Sequence, residues 1–314
     1  MESSLEYSEL WSDCLPTDIL GLISSRLVGG EYFVFRAVCK RWRTAPLKPP
    51  HPSLRVHDDD SPSPYLVTLR KKTGTVEFFH PMYNEVTHKK NIAILKGCRI
   101  RSAKGSWLLM SQGNHGMFFF NPHSNGIIEL PNLLEEIGNY CCAWTFSSPP
   151  DSLDCFVVGF DFYGSPPLVC IIKVGDSTWK FHRPFNTQES FQLTGCNNPV
   201  FFEKNSVYVW GDEGNLGILN INENSSPTWE FYGKPFPSQK LSLIRKVYTA
   251  EDVDKGGMLV VFLTHKEGKV EVWRYKMMNE SVLEREQITS LDDRTLFETN
   301  KSGNLRARLS VHVT

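Results

Sequence analysis

From Tyr65 onwards one texture repeats: apolar runs of five to seven residues, each closed by a cluster of Gly, Asn, Asp or Pro. Ten runs stand out, at 65–69, 75–79, 106–110, 116–120, 155–160, 168–172, 206–210, 216–221, 258–263 and 269–275. They are rich in Val, Ile, Phe, Tyr and Trp, and they are too short for stable helices. Such runs between turn signals predict the strands of an all-β domain. A weak internal repeat supports this. Phe78-Phe79-His80-Pro81 falls on Phe119-Phe120-Asn121-Pro122, with looser echoes at Ile171-Ile172-Lys173-Val174, Leu219-Asn220-Ile221-Asn222 and Trp273-Arg274-Tyr275-Lys276. The spacing of about 40 residues lies within the period of a propeller blade, so about five blade-like units are expected. One short helix is expected within the β region, at Asn132–Ile137.

The stretch before it has a different period. Pro16 suits a first helical position, Asp18 suits the first turn, and Ile19, Leu20, Ile23 and Leu27 recur at helical spacing. Gly29-Gly30 is a stop, and Phe35, Val38, Cys39 and Trp42 form a second apolar set, closed by the basic Lys40, Arg41 and Arg43. Two amphipathic helices joined by a tight turn are predicted. Helices this short are marginal in water, so their apolar stripe must be covered by the rest of the chain or by a partner.

The boundaries follow from composition: a polar lead at 1–14, a helical module at 15–46, a Pro/Asp-rich linker at 47–64, a β domain at 65–298 and an atypical tail at 299–314. The linker holds Pro49, Pro50, Pro52, Pro62 and Pro64, which exclude helix and central strand. Its Asp58-Asp59-Asp60 run reads as solvated charge, because consecutive residues converge poorly on one cation.

Net charge is −1 over 314 residues, so no broad positive field points to nucleic acid or to an anionic membrane. No apolar run reaches 18 residues, and the N-terminus lacks the pattern of a secretory signal. Cytoplasm, nucleus or both is the expected location. The eight cysteines have neither C-x-x-C nor zinc spacing, so they are expected reduced, buried and inert.

Candidate sites are sparse. Gly211, Gly214 and Gly217 look like a phosphate loop, yet Asp212 and Glu213 repel a phosphate and no helix follows, so a hairpin is expected. No G-x-S-x-G elbow occurs, His115 reads as a loop histidine between strands, and His80 and His123 lack acidic partners at fixed spacing. Trp107, Trp144, Trp179, Trp210, Trp229 and Trp273 are expected in the packing between blades. No catalytic residue, cofactor or metal site is assigned.

Two stretches carry a family resemblance. The run LP-x-x-IL-x-x-I-x-x-x-L followed by VCKRWR resembles an F-box, a helical module that docks on a Skp-type adaptor within a cullin ubiquitin ligase. KGSWLLMSQG, MFFFNPHSNGIIELP, NPVFFEKNSVYVW and LDDRTLF resemble the plant F-box-associated β domain, propeller-like by its similarity to kelch-type receptors. The fold class implied is α+β and multidomain: a small helical F-box, then an all-β propeller-like domain incomplete at its C-terminus. The incompleteness is expected because the resemblance fades near Phe297, and the basic, polar ETNKSGNLRARLSVHVT follows where similar chains add strands. The resemblance implies a non-catalytic substrate-recognition subunit. Its F-box would hold the adaptor, and through it cullin, by Leu15, Pro16, Ile19, Leu20, Ile23, Leu27, Val38, Cys39 and Trp42. Its β domain would hold an unknown protein target. The alternatives are a β-propeller-like enzyme or carbohydrate binder, and a truncated F-box protein acting as a non-productive competitor.

Overall fold

Alternating hairpins dominate the observed architecture. The computed structural model describes residues 15–24, 35, 38–44, 66–80, 85–113, 116–133, 143–152, 154–161, 168–183, 199–202, 205–211, 214–222, 225–232, 244–252, 257–264, 270–279 and 282–290. Leu27, the Gly29-Gly30 stop, His115, most of the Asn132–Ile137 segment, the linker and the 299–314 tail lie outside them. The chain divides by its own contacts into two units, the first running to Ile94 and the second starting at Leu95.

The first unit carries α1 (Thr17–Ser24), α2 (Lys40–Arg43) and a three-stranded sheet of β1 (Leu66–Arg70), β2 (Thr75–His80) and β3 (Glu85–Asn91). The second carries four four-stranded sheets. The second sheet is β4 (Arg99–Lys104), β5 (Trp107–Gln112), β6 (Gly116–Phe120) and β7 (Ile127–Leu130). The third is β8 (Ala143–Phe146), β9 (Phe156–Asp161), β10 (Leu168–Lys173) and β11 (Lys180–His182). The fourth is β12 (Val200–Phe202), β13 (Ser206–Trp210), β14 (Leu216–Asn220) and β15 (Thr228–Tyr232). The fifth is β16 (Ile244–Glu251), β17 (Met258–Thr264), β18 (Val270–Asn279) and β19 (Val282–Ile288). Every sheet is an antiparallel meander in chain order.

In the second unit β4 lies against β8, β8 against β12 and β12 against β16, which makes the first strand of each sheet its inner one. Successive residues of the middle strands then point into different seams. Val157 packs between the second and third sheets with Leu109, Phe119 and Trp144, whereas Val158 packs between the third and fourth with Val207 and Val209. The next seam joins Trp210, Leu216 and Ile218 to Met258, Val260 and Phe262. A strand covered on both faces has no polar side to show. This explains why the middle strands read as continuous apolar runs rather than as alternation.

Small residues make room for the aromatics. Trp144, Gly159 and Cys170 stand opposite one another across β8, β9 and β10. A Cβ on Gly159 would sit 2.6 Å from the Cys170 sulfur and 2.7 Å from the Trp144 ring. Trp229 of β15 likewise lies over Gly217 of β14, where a Cβ would overlap the indole. Trp144, Trp179 and Trp210 are buried, while Trp107, Trp229 and Trp273 pack half-buried against the same clusters. The six tryptophans thus sit in or against the seams, as expected of core and blade-packing residues. The Gly211–Gly217 stretch is a hairpin. Gly211 and Gly214 close the turn through Gly211 N–H to Asn215 O at 2.8 Å and Gly214 N–H to Gly211 O at 3.0 Å.

Two expectations need correction. The last blade does not lack strands: the fifth sheet is complete with four, and among the described residues the three-stranded sheet is the first. β19 is polar in sequence because it forms the outer edge, with Glu284, Arg285, Glu286 and Gln287 exposed. Nor does one helix run through Val38, Cys39 and Trp42. Cys39 is extended (φ −159°, ψ 174°) and α2 starts afresh after it. In a continuous helix, residues seven apart are separated by about 10 Å along the axis. The break allows the Phe35 and Trp42 rings to meet at 4.7 Å.

Candidate functional site

α1 begins where Leu20 N–H donates to Pro16 O at 3.0 Å, with Asp18 in its first turn. Its apolar residues divide between opposite faces. Leu20 is fully buried and packs with Phe35, and Leu15, Ile23 and Trp42 close around this pair. Ser24 is buried on the same side and returns its hydroxyl to Gly21 O at 3.0 Å. Ile19 and Leu22 project on the other side, 37% and 48% exposed. One turn apart on a helix, they form a short apolar stripe. Val38 is 54% exposed, and Pro16 is exposed as well. The exposed Lys40 and Arg43 add positive charge in α2.

The residues predicted for adaptor docking therefore occupy two different positions. Pro16, Ile19 and Val38 face solvent, and Cys39 is half-buried. Leu20 is internal support, with Leu15, Ile23 and Trp42 packed against it. Leu22 was missed by the sequence reading. Its position three residues after Ile19 is the signal that points to it. Among the described residues, the buried indole Nε1 of Trp42 makes no hydrogen bond.

The second unit brings charged groups together at the ends of its inner strands. Lys104, at the end of β4, donates to Ser147 O at 2.7 Å just past β8 and pairs with Glu251 of β16 at 2.8 Å. Next to Glu251, the buried Asp252 pairs with Arg274 Nε at 2.7 Å, and Arg274 Nη1 reaches Glu286 at 2.6 Å. These groups pair with one another and tie strands together.

The titratable groups in the sheets have structural settings. Burial raises the Cys155 thiol above its ordinary value and keeps it protonated, and it donates to Ser148 O at 3.0 Å. Burial lowers His182, with nearby Lys180 adding to the effect. Burial and the hydrogen bond to Glu230 push Tyr232 up to about 12. Cys98, Cys155 and Cys170 are buried thiols outside any disulfide, and Cys39 is a half-buried one. Among the described residues no three His, Cys, Asp or Glu side chains gather as a metal would require.

Known families align with both parts. The KIB1-4 beta-propeller family matches residues 78–307 and the F-box domain matches residues 12–51. The chain belongs to the KIB1-4 β-propeller family. In this member an F-box precedes the propeller sheets, and the relatives are Arabidopsis proteins named for an F-box, some of them also for kelch repeats. The F-box/kelch-repeat protein At3g18720 of Arabidopsis thaliana is 28% identical over 80% of this chain and 65% of its own length. The F-box protein At4g00893 of the same plant is 26% identical over 94% of this chain and 72% of its own. This chain thus spans roughly two thirds of the length of such relatives. A β-propeller domain of Cps50 (Swd1) from Myceliophteria thermophila overlays with a TM-score of 0.38 at 9% identity, over 67% of this chain and 66% of that one.

Proposed function

We propose that this protein is the substrate-recognition subunit of a Skp–cullin–F-box ubiquitin ligase. The helical module docks a Skp-type adaptor, and the propeller sheets hold a protein target for ubiquitination. It performs no chemistry itself. The gain is proximity, since holding a target beside a conjugating enzyme raises its effective concentration. One observation carries this reading. Within the segment that matches an F-box, Ile19, Leu22 and Val38 project from a module whose own core is already filled by Leu20 and Phe35.

Full burial of a side chain of this size is worth roughly 1.5–3 kcal/mol. Scaled by the exposed fractions of the three, covering them contributes on the order of 2–4 kcal/mol, or about 30- to 1000-fold in affinity. The test is a titration of the full chain with a purified plant Skp-type adaptor. Ile19→Ser with Leu22→Ser and Val38→Ser should weaken binding by that factor while leaving the circular dichroism unchanged. Equal affinity for the triple variant and the wild type would exclude this face.

A further inference from the structure

A threonine closes α2. Arg43 N–H donates to Cys39 O and Thr44 N–H to Lys40 O, each at 3.1 Å. The Thr44 hydroxyl adds a second hold, donating to Lys40 O at 3.1 Å with Arg41 O at 3.3 Å. These bonds satisfy carbonyls that the end of a helix leaves without partners. The Thr44 side chain itself is exposed. α2 is four residues long, so it opens locally at little cost. Yet it carries Trp42, whose ring meets Phe35 at 4.7 Å, and it follows directly on Val38 and Cys39.

The residues ahead of Thr44 are basic. Arg43, Arg41 and Lys40 stand one, three and four positions before it. An arginine three residues before a hydroxyl is a charge pattern that the acidic substrate grooves of protein kinases read. Two other places in the chain have this spacing, Arg70 before Thr73 and Arg99 before Ser102. Both of those acceptors belong to sheets. Ser102 is half-buried within β4, and Thr73 lies in the β1–β2 turn, its oxygen accepting Thr75 N–H at 3.3 Å. Of the three, Thr44 alone combines exposure with a single helical turn whose opening presents the basic run as extended chain.

We propose that Thr44 is a phosphorylation site for an arginine-directed serine/threonine kinase, and that the phosphate unlatches adaptor docking. The second half of this proposal rests on the docking reading above. The Thr44 oxygen attacks the γ-phosphorus of ATP. A new P–O bond forms as the bond to the β,γ-bridging oxygen breaks, ADP leaves with that electron pair, and the hydroxyl proton passes to a carboxylate of the kinase. Thr44 thereby changes from a donor into an acceptor group of charge about −1.5 to −2. Closing the turn again would set that charge against the Lys40 and Arg41 carbonyls, at the negative end of the helix dipole. The turn stays open, Trp42 loses its place against Phe35, and Val38 is no longer anchored from its C-terminal side.

The test treats the full chain with ATP and a purified calcium-dependent plant kinase of this preference, then maps the product by mass spectrometry. Phosphate should appear on Thr44, and at least about tenfold more slowly in Arg41→Gln. Chymotrypsin should cut after Trp42 at least about tenfold faster in the phosphorylated chain than in the untreated one. Affinity for a purified Skp-type adaptor should fall at least about tenfold on phosphorylation. The absence of phosphate from Thr44 overturns the proposal, as does unchanged cleavage. Equal or tighter adaptor binding by the phosphorylated chain also overturns it. Thr44→Val, treated with kinase in the same way, should keep its affinity; a loss as large as in the wild type traces the effect to another hydroxyl and overturns it too. If the untreated chain itself fails to bind the adaptor, the docking reading falls instead, and the mapping and the cleavage still decide whether phosphate at Thr44 opens α2.

Discussion

Gly159→Ala tests the packing logic of the sheets at one atom. The new Cβ would lie 2.6 Å from the Cys170 sulfur and 2.7 Å from Cη2 and Cζ3 of Trp144. Neither neighbour can give way easily. Trp144 is 1% exposed, held edge-on against Trp179 at 5.9 Å, and Cys170 is fully buried. Overpacking of this kind costs about 1–3 kcal/mol. For a β domain of this size, each kcal/mol lowers the melting temperature by roughly 2–4 °C, so a fall of about 2–12 °C is expected. The offending atoms belong to the six-membered part of the indole, so Trp144→Phe removes them. That change alone should be destabilising, because it opens space in a closed seam. In the Gly159→Ala background it should cost less than it does alone, giving a favourable coupling of about 1 kcal/mol. Thermal or urea unfolding of the four chains supplies the cycle. Additive effects, or a Gly159→Ala chain as stable as the wild type, would refute the claim that glycine stands there to admit the ring.

Four further outcomes follow from described contacts. Gly257 holds φ +109°, and a Cβ there would meet Tyr275 O at 2.6 Å; Gly257→Ala should therefore destabilise by about 1–3 kcal/mol in a urea titration, through both strain and overlap. Arg274→Met deprives the buried Asp252 carboxylate of its guanidinium at 2.7 Å; unfolding should show a loss of about 3–5 kcal/mol, reduced when Asp252→Asn accompanies it. Tyr232 titrates at about 12, above the ordinary 10, so its contribution is intact below pH 10 and is lost as pH rises through 12; in Glu230→Ala the phenolate absorbance at 295 nm should appear at lower pH. Leu20→Ala should cost about 2–5 kcal/mol within the helical module, seen as faster proteolysis of residues 15–44, while the melting of the sheets stays unchanged.

How much the sequence disclosed depended on burial. The ten apolar runs correspond to β1 and β2 and to the second and third strands of the other four sheets, most of which are covered on both faces, although β1 is only half-buried. Inner and outer strands escaped notice because their chemistry differs. β4 reads RIRSAK and presents Lys104 to charged partners, while β19 reads VLEREQI and faces solvent along an edge. β8 and β12 are apolar but only four and three residues long, below the length at which a run stands out. The helical module was legible in its composition and less so in its facing. Helical spacing grouped Ile19 with Leu20, yet a step of one residue turns a side chain by about 100°, which sends the first outward and the second into the core. The halt at Cys39 carried no local signal, as neither proline nor glycine stands there.

Every sheet is built from neighbours in the chain, and this has a consequence for biosynthesis. Each meander needs only a few dozen consecutive residues, so its hairpins can zip up soon after they leave the ribosome, at low contact order. The seams follow a different timetable. Val157 finds its lining among residues already made, whereas Val158 must await Val207 and Val209, still to be translated. Nascent chains should therefore carry one greasy leading face at a time, handed forward from sheet to sheet as synthesis proceeds.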